Sequence, residues 1–179
     1  MRYANIDEHE VSNGIENGVS LYIQGCDFHC SGCFNQSTWD FNGGKEWTEE
    51  TEKEFFKLID RPYIKRVSIL GGSPLAKENL DGVLNLVKQI RLLFPEKSIW
   101  LYTGYTWDYI FYDHINAVDV VGNEKRKEIL KYCDVLIDGR FEEDKKDLSL
   151  RFRGSSNQRI IDVQKSLNKG EIVLWQHTN

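Results

Sequence analysis

Three cysteines within eight residues, Cys26, Cys30 and Cys33, are the side chains best suited to chemistry in this sequence. Their Cys-x3-Cys-x2-Cys spacing offers three thiolates from one flexible loop. A 4Fe–4S cluster with full thiolate ligation takes four cysteines, so a cluster held by three has one iron left open. An open iron can chelate a small molecule through an amino and a carboxylate group, which would bring a sulfonium against the cluster for one-electron reduction. The competing reading is structural zinc, with His29 or Cys133 completing a tetrahedral site, although such sites usually come as two regularly spaced pairs. Cys133 lies beside the apolar run Asp134-Val135-Leu136-Ile137 and reads as a buried core residue, and His29 reads as an exposed loop residue. Clustering of this kind points to metal or redox chemistry in a reducing compartment rather than to disulfide staples.

The cysteine loop needs a scaffold, and the sequence suggests one. Residues 19–24 are β-branched and aromatic and run into Gly25, which predicts a strand leading into the cysteines. Thr48 followed by Glu49 and Glu50 predicts a capped helix ending near Asp60, with Phe55, Phe56, Leu58 and Ile59 on its apolar side. Residues 64–70 predict a second strand, ending in Gly71-Gly72-Ser73-Pro74. From Asn79 to Phe94, apolar residues recur at steps of three and four, the period of a helix. Residues 98–102 predict a third strand, followed by Thr103-Gly104 and an irregular helical stretch. Residues 134–137 predict a fourth, ending in Asp138-Gly139, and weaker strands are expected at 160–163 and 172–175.

Strands alternating with helices indicate βαβ units and a mainly parallel sheet. In such architectures ligands gather at the carboxyl ends of the strands. The four glycine-containing loops are therefore expected to meet on one rim. Each has a plainer reading: Gly71-Gly72 and Thr103-Gly104-Tyr105 as turns, Asp138 as a loop cap, Trp39 as packing under the cysteine loop, and Arg151, Arg153 and Arg159 as a solvated face.

The 179 residues are 40% hydrophobic and 28% charged, which predicts one globular domain over residues 1–179. A net charge of −5 argues against nonspecific binding to nucleic acid or an anionic membrane. Residues 1–11 are polar and acidic without a signal pattern, and no apolar run is long enough to span a bilayer, so a cytoplasmic location is expected.

The segments CDFHCSGCFNQSTW (26–39), GGSPL (71–75), YTGY (102–105), DGRF (138–141) and RGSSNQ (153–158) occur in the order and approximate spacing of the activating proteins of anaerobic ribonucleoside-triphosphate reductase. The chain resembles that family of radical S-adenosylmethionine (SAM) enzymes over roughly residues 10–160. The cysteine triplet by itself points only to the radical SAM superfamily; Phe34-Asn35, Thr38-Trp39 and RGSSNQ narrow the likeness. The resemblance implies an incomplete (β/α) barrel, a curved and mainly parallel sheet flanked by helices, with a 4Fe–4S cluster on Cys26, Cys30 and Cys33. It implies reductive cleavage of SAM to methionine and a 5′-deoxyadenosyl radical, and a glycyl radical formed on the large subunit of the reductase. Gly32, Cys33 and Phe34 would lie at the SAM site, with Gly71, Gly72, Ser73 and Thr103 contributing to it, and Arg151, Arg153 and Arg159 around residues 154–157 would take an anion-binding or partner-docking role. A low-potential electron donor such as flavodoxin is implied as a second partner. Another glycyl-radical enzyme, or a small molecule, is the alternative substrate; a zinc-bearing interaction module is the non-enzymatic alternative. Two positions depart from the family pattern: Ser73 stands where an acid is common, and Phe34 where Tyr is common. The tail beyond about Ile160 is outside the resemblance.

Overall fold

A computed structural model of the chain describes residues 1–112 and 119–176. Its elements are β1 (Arg2–Glu10), β2 (Gly18–Ile23), β3 (Lys45–Glu46), α1 (Glu49–Ile59), β4 (Arg66–Gly71), α2 (Leu80–Leu93), β5 (Ser98–Tyr102), α3 (Trp107–Phe111), α4 (Val120–Leu130), β6 (Val135–Asp138), β7 (Arg159–Asp162) and α5 (Val163–Lys169). Residues 113–118 of the helical stretch expected after β5 lie outside the described residues.

The fold is mixed α/β. Seven strands form one sheet in the order β3-β1-β2-β4-β5-β6-β7. The four central strands, β2, β4, β5 and β6, are parallel, as the βαβ reading requires. The outer strands β1, β3 and β7 are antiparallel to their neighbours. Beyond β7 the sheet continues only as a bridge to Leu174, and among the described residues it does not close on β3, so it stays open.

Strand alternation separates two faces. Val19, Leu21 and Ile23, Val67 and Ile69, Ile99 and Leu101, and Leu136 point to one side and join a continuous core with α1, α2 and α4. The helices form for local reasons. The Thr48 hydroxyl accepts a hydrogen bond from the Thr51 amide at 3.2 Å, and Glu49, Glu50 and Glu52 sit in the first turn of α1, where the helix dipole favours negative charge. In α2 the buried stripe is Leu80, Val83, Leu86, Val87 and Ile90, with Leu84 only partly buried beside it.

The opposite face is mixed. Ser20, Ser68, Trp100 and Val135 lie side by side across the four parallel strands. Two residues further along, Tyr22 pairs with Leu70 and Tyr102 with Ile137. Loops rather than helices cover this face. Residues 11–17 are pinned by the fully buried Arg66, which donates to the carbonyls of Glu10 (2.7 Å), Asn13 (2.6 Å) and Ile15 (3.0 Å). The Phe152 and Trp175 rings pack edge-on against Trp100.

One expectation changes, and one strand was not anticipated. Residues 172–175 contribute only an isolated bridge, Leu174 to Ile161, rather than a strand. The polar segment 2–10 forms β1, between β2 and the two-residue β3. Its hydrogen bonds to β2 hold it in place where apolar alternation is weak.

Candidate functional site

The carboxyl ends of β2, β4, β5 and β6 open into one cavity of about 430 Å³. Its wall includes all three clustered cysteines, Gly71 and Gly72 after β4, Thr103 and Gly104 after β5, and Gly139 and Arg140 after β6. The four loops thus meet on one rim.

Backbone pairing shapes the cysteine loop. After β2 the chain runs alongside residues 38–39, with the Gly25 amide donating to Thr38 O (2.7 Å) and the Cys26 amide to Trp39 O (3.0 Å). The Gln24 side chain donates to the carbonyls of Ser37 and Asp40 and closes the base of the loop. The buried Asn79 amide donates to the carbonyls of Gln24 and Ser73, tying this base to the turn after β4. Gly71 has φ +104°, a left-handed conformation suited to glycine, and a Cβ there would sit 2.8 Å from the Ile23 backbone.

Cys26 is buried, Cys30 and Cys33 are partly exposed, and all three are free thiols. Burial pushes the Cys26 and Cys30 thiols up, and repulsion from the neighbouring thiolates adds to this. Backbone N–H groups act in the opposite sense: those of Phe28 and His29 at Cys26, and that of Phe141 at Cys30. The Asn35 amide lies 3.4 Å from Cys33 Sγ. Such donors favour the thiolate, the form that binds metal. Among the described residues no three His, Cys, Asp or Glu side chains converge tightly enough for a single metal ion; the thiols border the cavity instead.

Cys133 is elsewhere. It precedes β6, at the amino ends of the parallel strands, fully buried in the core, with its thiol directed at Ile129 O (3.4 Å). His29 is exposed and lies against the Trp39 ring, centroids 4.7 Å apart.

Phe34 lines the cavity at its mouth, 60% exposed, packed on Phe141 and beneath the Lys146 ammonium. Thr103 is buried, and its hydroxyl accepts from the Tyr105 amide. Gly32 and Ser73 are not on the cavity wall. A Cβ on Gly32 would meet the Glu143 side chain, and Ser73 is enclosed behind the turn, fully buried. Asp138 is also turned away: it accepts from the Trp107 amide (2.7 Å), capping α3, and from Arg159 Nε (2.9 Å). Arg159 is therefore paired rather than solvated. The sequence reading missed Asn13, Tyr22, Tyr102 and Phe152 as cavity residues. For Tyr22 and Tyr102 the signal was present, since each is a polar aromatic at the carboxyl end of a parallel strand.

An α/β sheet with a cysteine loop on its carboxyl rim is the setting of a protein class built around one cluster, and the family described as "4Fe-4S single cluster domain" matches residues 12–161. Three curated proteins named anaerobic ribonucleoside-triphosphate reductase-activating protein are similar over most of their length. That of Enterobacteria phage T4 is 38% identical over 160 residues, covering 89% of this chain and 93% of its own. Those of Vibrio cholerae and Escherichia coli K12 are each 36% identical over 162 residues, covering 89% of this chain and 97% of theirs. The chain belongs to the family of anaerobic ribonucleoside-triphosphate reductase-activating proteins. Among the described residues no helix is long and apolar enough to cross a membrane.

Proposed function

We propose that this chain is a radical SAM activase for anaerobic ribonucleotide reductase. The observation that carries the reading is the opening of three cysteines from one loop into the same cavity as Gly71-Gly72 and Thr103. When bound and reduced, a 4Fe–4S cluster supplies the electron that splits SAM into methionine and a 5′-deoxyadenosyl radical, which takes hydrogen from a glycine of the reductase large subunit.

Cys26, Cys30 and Cys33 would ligate three irons and leave the fourth for SAM. The donor set suits this: three thiols from one loop, with backbone N–H groups at each sulfur to stabilise thiolate charge. The left-handed backbone at Gly71 lets the end of β4 lie close to β2, beside the cysteine loop. Thr103, whose oxygen already accepts from Tyr105, retains its O–H to donate to a ligand. The mouth beside Phe34 is open, so a partner must cover it to exclude water and bring the glycine within about 3–3.5 Å of the reacting carbon. That partner is the reductase, inserting its glycine-bearing segment, and a low-potential carrier such as flavodoxin supplies the electron.

The test is anaerobic reconstitution of the full chain, followed by iron, sulfide and zinc analysis and by incubation with reductant, SAM and the reductase from the same source. About four irons per chain and a glycyl-radical paramagnetic resonance signal that disappears when any component is omitted are the expected results. Zinc without sulfide would refute the cluster. SAM cleavage that places no radical on the reductase would refute the choice of substrate.

A further inference from the structure

Three buried polar atoms on residues that line the cavity have no hydrogen-bond partner among the described residues: Trp39 Nε1, Tyr102 Oη and Arg153 Nε. All can donate. Although the chain carries 28 acidic residues, no Asp or Glu side chain lines this cavity among the described residues, whereas Arg140 and Arg153 do. Buried donors are rarely left unmade, so the wall is built for a ligand rich in acceptors.

The three donors occupy different places. Trp39 is bound to the cysteine loop through its own carbonyl, which accepts from the Cys26 amide, and so lies on the cluster side. Tyr102 is on the sheet floor beside Ile137, with Trp100 one inward position below it. Arg153 stands between floor and mouth. The preceding residue, Phe152, packs on Trp100, and the following one, Gly154, is against Phe34 and Phe141, where a Cβ would come within 3.0 Å of both rings. Phe152 has φ +62°, an uncommon conformation for a bulky side chain. This bend sends the Phe152 ring to Trp100 and turns Arg153 to the cavity, with its Nη1 held by Gln158 O (2.8 Å).

We infer that Tyr102 and Arg153 bind backbone carbonyl oxygens of the glycine-bearing segment that enters from the reductase. The inference rests on the proposed function and deepens it. A glycine has no side chain to recognise, so its placement must come from main-chain contacts, and a main-chain carbonyl only accepts. Tyr102 offers a neutral O–H, because burial raises its phenol well above the ordinary value. Arg153 offers a charge-assisted N–H along the wall that joins mouth to floor.

The experiment uses reconstituted full-length wild type, Tyr102→Phe and Arg153→Gln, with Arg153→Lys as a second variant that keeps the charge. The probe is a synthetic peptide with the sequence of the reductase's glycine-bearing segment, titrated with SAM present and followed by fluorescence anisotropy. Iron content, unfolding midpoint and SAM affinity are measured in parallel. Tyr102→Phe should weaken peptide binding about threefold to tenfold and Arg153→Gln at least tenfold. Iron content and SAM affinity should stay within about twofold of wild type, and Arg153→Lys should recover part of the loss. Unchanged peptide affinity in folded variants overturns the inference. So does weakened SAM affinity with peptide affinity kept, which would hand the donors to SAM. Whether wild type places a radical on the reductase is read separately, so failure of the functional reading is distinguishable from failure of this one.

Discussion

Gly72→Ala adds one methyl group where two backbone segments touch. A Cβ at this position would lie 2.4 Å from the Gly25 carbonyl oxygen and 2.9 Å from both the Gly25 carbonyl carbon and the Thr38 oxygen. Carbon–oxygen contacts ordinarily begin at about 3.3 Å, so the Gly25 carbonyl must retreat by about 1 Å. It is not free to do so. It accepts from the Ser73 amide at 2.7 Å, and the Gly25 amide donates to Thr38 at 2.7 Å. Overpacking of this kind costs about 1–3 kcal/mol, and a weakened hydrogen bond adds about 1 kcal/mol. For a chain of this length the total lowers the unfolding midpoint by roughly 5–15 °C. Cys26 follows Gly25 directly, so iron content should fall as well. Thermal unfolding by circular dichroism, with iron and sulfide analysis of the anaerobically reconstituted variant, checks both. A Gly72→Ala protein with an unchanged midpoint, full iron and weakened SAM binding would refute the reasoning and make ligand clearance the reason for this glycine. The contact that calls for glycine at this position lies within the chain.

Replacing Cys26, Cys30 or Cys33 singly by Ala should abolish iron incorporation, whereas Cys133→Ala, in the core beside Ile129, should retain iron and lose about 1–2 kcal/mol of stability. Normal iron in Cys33→Ala, or none in Cys133→Ala, would contradict the ligand assignment. Glu10 is held below the ordinary carboxylate value of about 4.5: burial alone would raise it, but the Ser12 hydroxyl, the Ser12 and Asn13 amides and the Arg66 guanidinium outweigh burial. A group with a depressed folded value contributes its full stabilisation above the unfolded value and loses it as pH falls through the folded one. The urea midpoint of wild type should therefore decline below about pH 4.5. Glu10→Gln should lack this contribution and be less stable near neutrality by roughly 3 kcal/mol, because the buried Arg66 loses its counter-charge. Parallel pH profiles for the two proteins would count against the pairing.

Much of the scaffold was legible because its signals are local. Residues 98–102 were read as a strand with the bounds of β5, and the three-and-four spacing after Asn79 marked α2 to within a residue at each end. The glycine-containing loops after four strands converge because parallel strands must end on the same side. Strand β1 was not legible. It carries Asn5, Asp7, Glu8 and His9, so its place comes from backbone hydrogen bonds to β2 and not from an apolar period.

Within the site the division is similar. The sequence by itself determined that three thiols leave one loop at the end of a strand and that a fourth belongs to an apolar run. Spacing and composition suffice for that, because they describe neighbours along the chain. Only the tertiary structure decided that Ser73 and Gly32 face away from the cavity and that Tyr102 and Arg153 face into it. It also decided what covers the inner face of the sheet: Arg66 reaches the carbonyl of Asn13, 53 positions away, and Phe152 reaches Trp100. Such contacts leave no local periodicity. They form because a buried guanidinium must find acceptors and a bare aromatic face must be covered, and which segments satisfy those needs depends on how the chain closes in space.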